Sequence, residues 1–246
     1  MALPLLNNAE SGTDTATVTT GNSGGPNADA FTGVTIGASA TLTYDSVHAA
    51  HGTLGFKIAI GATNQPTHVI WNTVGGVTEL WGAVYTYMTA NPSSTIRGIA
   101  FFSGGSLLGN LGAPNNTGLM QWKFPGDTSV GTLNDTAFTL NQWNRMEFHV
   151  IFNATTGSGE AQWFAGDAST RTGTQATFTA TNTGASCDEI RIGMNAASTT
   201  INYTWWHDDL NVNAVGFPGP GPYSSSPFRA PDTFTQTPLM PQGRNL

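Results

Sequence analysis

The chain holds little acid–base chemistry: fifteen Asp and Glu, eight Lys and Arg, five His and one Cys among 246 residues. Cleavage of a glycosidic bond needs two carboxylates on one face, one to protonate the leaving oxygen and one to attack or activate water. The acidic pairs are Asp188–Glu189 and Asp208–Asp209. Neighbouring residues of a strand point to opposite faces, so neither pair shares a face unless a bulge intervenes. No spaced carboxylate run of the E-x-D-x-x-E kind occurs, and no nucleophile elbow, phosphate loop or H-E-x-x-H helix. His48 and His51 are three apart, a spacing for two metal ligands on a helix, but Ala49, Ala50 and Gly52 do not make one. His149 and His207 are expected at outward or edge positions of strands. Cys187 has no partner for an internal disulfide and no histidine signature around it, so it reads as a small buried hydrophobe. These residues imply no catalytic constellation, and the expectation is a chain that is not an enzyme.

Two other groups of side chains could act by binding. Trp71, Trp81 and Tyr85, with Tyr87, are expected on two adjacent strands, where a row of rings stacks on the apolar faces of sugars; packing in the core is the competing use of the same rings. Phe217, Tyr223, Phe228, Phe234, Leu239 and Met240 are spaced along a last segment, 216–246, that holds seven of the thirteen prolines. Proline has no N–H to give a ladder, so this segment reads as an extended arm. An arm with that apolar load gains burial only against a surface, and the surface expected is a neighbouring protein.

The elements that must position these groups are strands. Charged residues make up 9% of the chain, against roughly 25% in an ordinary domain, and thirty Gly with much Thr, Asn and Ser take their place. A net charge of −7 and a pI near 4.9 exclude the basic field of a nucleic-acid binder. No segment has a helical period with caps. Residues 40–45 alternate Leu42 and Tyr44 against Thr41 and Thr43. In 54–60, Leu54, Phe56, Ile58 and Ile60 share one face. In 143–152, Met146, Phe148, Val150 and Phe152 form one row, and Arg145, Glu147 and His149 the opposite, wet row. A two-step period marks a strand with one buried face. Similar segments lie near 15–20, 67–74, 77–88, 96–103, 118–124, 159–165, 174–180, 187–194 and 201–213, at the spacing of sandwiches and barrels. The predicted fold is all-β, a jelly-roll sandwich of two antiparallel sheets over 1–215 followed by the arm over 216–246. No apolar run reaches the ~18 residues of a membrane span, and the first residues lack the basic start of a secretory signal.

Three segments resemble concanavalin A-like and LamG-like jelly rolls and related carbohydrate-binding modules. Asn8, Glu10 and Gly12, followed by Asn22 and Gly24, are similar to the opening strand and turn of such modules. Trp143, Arg145 and Glu147 are similar to their W-x-R-x-E strand. Ile190 to Gly193, then Asp208–Asp209 with Val212, are similar to the closing strand. The resemblance spans roughly 8–213. It implies a structural calcium ion between the first and last strands, held by Glu10, by carbonyls near Gly12 and Asn22, and by Asp208 or Asp209. The same signatures occur in bacteriophage head-decoration and minor tail proteins. With the arm, this implies a non-enzymatic virion component, made in a host cytoplasm and docked on capsid or tail subunits or on copies of itself. Neither nucleic acid nor an inserted membrane is among the expected partners. The alternative is a lectin-like carbohydrate-binding module of a bacterial surface or secreted protein, with Trp71, Trp81 and Tyr85 contacting the glycan.

Overall fold

The computed structural model describes residues 3–61, 66–94, 96–112, 116–125, 128–195 and 202–223. The regular elements are β1 (Leu5–Asn7), β2 (Gly33–Thr35), β3 (Ala40–Asp45), β4 (Gly55–Ile60), β5 (Thr67–Val77), β6 (Glu79–Met88), β7 (Ile99–Ser103), β8 (Ser106–Gly112), β9 (Gln121–Phe124), β10 (Thr128–Val130), β11 (Trp143–Ile151), β12 (Gly157–Ala165), β13 (Thr172–Thr181), β14 (Cys187–Met194) and β15 (Tyr203–Asn213). One sheet has the order β13-β12-β11-β6-β15-β4-β3, with β1 also paired to β15; the second has the order β10-β9-β8-β7-β14-β5-β2. All pairings between strands are antiparallel. The protein is a jelly-roll β-sandwich, as its two-step periods predict. No helix among the described residues is long and apolar enough to cross a membrane.

The core lies between the sheets. Leu42, Tyr44, Phe56, Ile58, Met146, Phe148, Val150 and Phe152 all enter it, which confirms the phase read for β3, β4 and β11. Phe148 meets Phe101 of the second sheet at 5.7 Å between ring centres. Gly82, opposite Phe148 in the register, leaves its ring room: a Cβ there would lie 2.3 Å from the ring. Cys187 is buried in this core, and burial pushes its thiol up to about 12.

Several expectations are corrected. Residues 15–20 are not a strand; they make one isolated bridge, Thr17 to Thr43, because the Asn22 side chain binds the Thr17 carbonyl and the Thr19 N–H and folds the segment into a turn. β5 and β6 follow each other in the chain but lie in opposite sheets. Trp71 is therefore not in a row with Trp81 and Tyr85. It is 1% exposed, tilted against Phe31 at 5.3 Å, with its indole N–H on the Ala30 carbonyl. His207 is not at an outward position. It is buried beside Trp205, and burial lowers its pKa to about 4.

Candidate functional site

The outer face of the first sheet carries a row of ionisable groups that the register sets side by side. Trp143 faces Tyr87, Arg145 faces Tyr85, Glu147 faces Ala83 and His149 faces Trp81 across β11 and β6. On the other side of β11, Arg145 faces Phe164, Glu147 faces Gln162 and His149 faces Glu160. The strand phase is as the sequence predicts, but the row is not wet: Arg145 is 1% and Glu147 2% exposed. Arg145 donates to Glu147 Oε1 at 3.0 Å and to the carbonyls of Gly166 and Ala168 at 2.9 and 3.0 Å, over the Phe164 ring. The guanidinium thus holds a buried carboxylate and fixes the turn that carries Asp167.

A bulge in β15 builds the second part of the face. The first half of β15 pairs with β4 and the second half with β1, and the register to β6 shifts between Asp208 and Asn211. Asp209 takes a φ of +44° there, a conformation that Asp tolerates better than most residues. The bulge brings both carboxylates of the pair to the loop at 48–54. Asp208 accepts from the N–H groups of Ala50, His51 and Asp209. Asp209 binds His51 Nδ1 and accepts from the Tyr223 N–H. His51 Nε2 meets Asp167 at 3.1 Å, and Tyr85 donates to the other Asp167 oxygen at 2.5 Å. Burial alone would pull the imidazole of His51 down, but its hydrogen bonds and attraction to Asp167 and Asp209 outweigh it and raise the pKa. Burial pushes the Asp209 carboxyl up, and His51 draws it only part of the way back. Burial, and then the charge of Asp209, push Asp208 well up. Burial also moves the Tyr85 hydroxyl to about 12. On the same half of the sheet, His48 lies over Trp206 at 4.1 Å and binds Asp45, so the loop covers this side of the face.

The calcium set does not assemble in a form that fits a cation. Calcium takes six to eight oxygens with lone pairs turned to it. Glu10 accepts instead from the Thr53 and Leu54 N–H groups and the Thr53 hydroxyl, and Asp208 and Asp209 are surrounded by N–H donors as above. These carboxylates pin the 48–54 loop to β15 and to the segment after β1 by hydrogen bonds. Among the described residues no group of three or more His, Cys, Asp or Glu has metal-holding geometry.

The face is open over β11, β12 and β13. Trp81 stacks flat on His149, 3.5 Å between ring centres and 4° between planes. His149 binds Glu79 at 2.8 Å and Glu160 at 3.4 Å. From there a ladder of amides and carboxylates runs across the strands: Gln175 donates to Glu160 and to Gln162, and Gln162 donates to Glu147. Beside it His149, Gly159, Glu160, Thr177 and Phe178 line a depression of about 300 Å³. A larger hollow of about 460 Å³, between β1, β15 and residues 214–218, is lined by no ionisable side chain.

The arm turns back onto its own sheet. Phe217 meets the Trp81 ring edge-on at 4.7 Å, and Tyr223 is 7% exposed, packed with Ala83 and Tyr85. Phe228, Phe234, Leu239 and Met240 lie outside the described residues. Of the three glycan candidates, Trp81 and Tyr85 share the outer face and Trp71 does not. Glu160, Gln162 and Gln175 were not singled out in the sequence; the signal available was the alternation of polar residues along 159–163 and 174–178, on strands next to Trp143–Arg145–Glu147.

No family model matches this chain, and no curated protein does. Solved structures do. The cellulose-induced protein Cip1 aligns with a TM-score of 0.51 at 15% identity, over 75% of this chain and 90% of its own. The catalytic domain of a glycoside hydrolase family 131 protein from Coprinopsis cinerea aligns at 0.46 and 16%, over 81% and 88%. The CBM22-1 xylan-binding domain of Paenibacillus barcinonensis Xyn10C aligns at 0.34 and 10%, over 86% and 95%. At 15% identity the likeness to Cip1 shows the fold alone. The expectation of a chain that is not an enzyme is corrected: the solved structures that align with it include catalytic domains.

Proposed function

We propose that the chain recognises a carbohydrate on the open part of the outer face, over β11, β12 and β13. The observation that carries this is the Trp81–His149 stack standing beside a cross-strand ladder of Glu147, Gln162, Gln175 and Glu160. A sugar ring offers an apolar face and a rim of hydroxyls. Apolar ring surface at this pair takes the first, and fixed carboxylate and amide groups take the second, since each hydroxyl both donates and accepts. The fold, shared with carbohydrate-active domains, supports the same reading. The virion reading receives no support from the comparisons, and its arm has two of its apolar anchors, Phe217 and Tyr223, seated on this chain's own sheet. A polysaccharide ligand belongs outside the cell or at its surface.

A second reading, cleavage of that glycan, is favoured by one specific feature. Glu147 and Glu160 stand on neighbouring strands of one face, diagonal in the register, with Glu160 open to solvent and Glu147 buried against Arg145. Such a pair has the residue types that glycosidic hydrolysis requires. Glu160 is the more exposed member and would face the sugar, and Glu147 is held by Arg145 and Gln162. Two measurements test the proposal. Affinity electrophoresis against soluble cellulose derivatives, xylans and mannans should show retardation by at least one, weakened in Trp81→Ala. Reducing-end release from the retarding polymer should be abolished in Glu160→Gln if the chain cleaves it. No retardation by any polysaccharide would remove the first reading, and retardation without release would remove the second.

A further inference from the structure

The start of the arm has a defined place in the proposed site. After β15 the chain crosses the outer face along β6, the central strand. Phe217 sits edge-on at Trp81. The Gly221 N–H donates to the Tyr85 hydroxyl at 2.9 Å, and the Tyr223 N–H donates to Asp209 at 3.2 Å. The Tyr223 ring covers Ala83 and Tyr85 and packs with Leu6, Ala50 and Trp143. Gly221 is required at its position. A Cβ there would lie 2.7 Å from Asp209 Oδ2 and 3.1 Å from the His51 ring, below or at the edge of what two non-bonded atoms accept. The segment therefore presses on the His51–Asp209–Tyr85 cluster and covers β6, so the open face over β11, β12 and β13, the trough of the proposed site, lies to one side of it. Past it, the 48–54 loop already fills the face through His48 on Trp206. The polar ladder starts at Arg145 and Glu147, beside Tyr223, and runs away from it toward β13.

We infer that residues 217–223 are a specificity element of this site: they wall the trough along β6, so that a bound glycan lies over β11, β12 and β13 and ends there. This rests on the carbohydrate reading above. The trough spans three strand spacings, about 14 Å, because the ladder crosses the strands at right angles. Phe217 and Tyr223 then set how much of a chain the site takes, and the wall selects for a short stretch or a chain end over a continuous polymer.

The test is isothermal titration with cello- and xylo-oligosaccharides of increasing length, on the full chain and on two variants. Gly221→Val forces the segment off Asp209 and His51; Tyr223→Ala removes its main anchor. Unreactive Cys187 in each variant shows that the sandwich is folded. In the unaltered protein affinity stops rising once the oligosaccharide exceeds the trough. In both variants it continues to rise, and the longest oligosaccharide gains about tenfold, or about 1.4 kcal/mol. The same length dependence in all three proteins overturns the inference. So does loss of binding at every length in folded variants, which makes the segment a part of the binding surface and not its boundary. Failure of the unaltered protein to bind any of the oligosaccharides overturns the carbohydrate reading itself, and this inference with it.

Discussion

Replacing Arg145 by Met tests how the outer face is held together. The side chain is buried with Glu147, makes the bonds to Glu147, Gly166 and Ala168 described above, and lies 4.2 Å over Phe164. Methionine retains much of the apolar stem but leaves Glu147 as a buried charge with only Gln162 to bind it. Breaking a buried pair in this way costs about 3–5 kcal/mol. In a chain of this size 1 kcal/mol moves the melting temperature by about 2–4 °C, so the transition should fall by about 6–20 °C. Adding Glu147→Leu should restore much of the loss, because an apolar pair carries no desolvation cost. The assay is a double-mutant cycle by differential scanning calorimetry. A single-mutant loss below about 1 kcal/mol would refute the reasoning, since it would mean that water reaches the pair beneath Tyr223.

Five further outcomes follow from the same geometry. Phe148→Ala should cost about 3–5 kcal/mol, measured by denaturant melts, whereas Trp81→Ala on the open face should change stability little. Cys187 should stay unlabelled by a thiol reagent in the native state and react on unfolding, because burial keeps the thiol protonated. His207 has a folded pKa lowered to about 4 against about 6.5 unfolded; its stabilising share is full above 6.5 and lost as the pH falls toward 4, so melting temperatures should drop over that window, and less in His207→Gln. His51 has the opposite sign: its pKa is raised, so its share is full below about 6.5 and lost as the pH climbs through the raised value, a slope that His51→Gln should remove. EDTA should leave the melting temperature unchanged, because Glu10, Asp208 and Asp209 are bound by N–H and O–H donors; a drop reversed by calcium would contradict that.

The strands that the sequence makes legible are those with a single core-facing row. β3, β4 and β11 alternate in residue type because one side meets the second sheet, although the outer side of β11 is itself largely buried. β15 hides its phase, since it is buried almost throughout: one side faces the core, and the 48–54 loop and the arm cover the other. A cover supplied from distant sequence leaves no local period, which is why His207 was misplaced. Trp71 and Trp81 look like neighbours because ten residues separate them, but the chain changes sheets at Thr78, between β5 and β6. The Asp208–Asp209 pair was readable as chemistry only with a bulge, and the bulge arises where β15 exchanges β4 for β1, a tertiary event. Arg145 and Glu147 stood out as a motif. Their partners Gln162, Glu160 and Gln175 did not, because ordinary polar residues acquire meaning only from the register across β11, β12 and β13.

Hydrogen–deuterium exchange with and without a bound polysaccharide tests the central claim most directly, since it reports which sheet the ligand covers. Peptides containing β6, β11, β12 and β13 should gain protection, centred on Trp81, His149, Glu160 and Gln175, with β7, β8 and β14 of the second sheet unchanged. Protection confined to the second sheet, or spread evenly over both, would contradict the placement of the site.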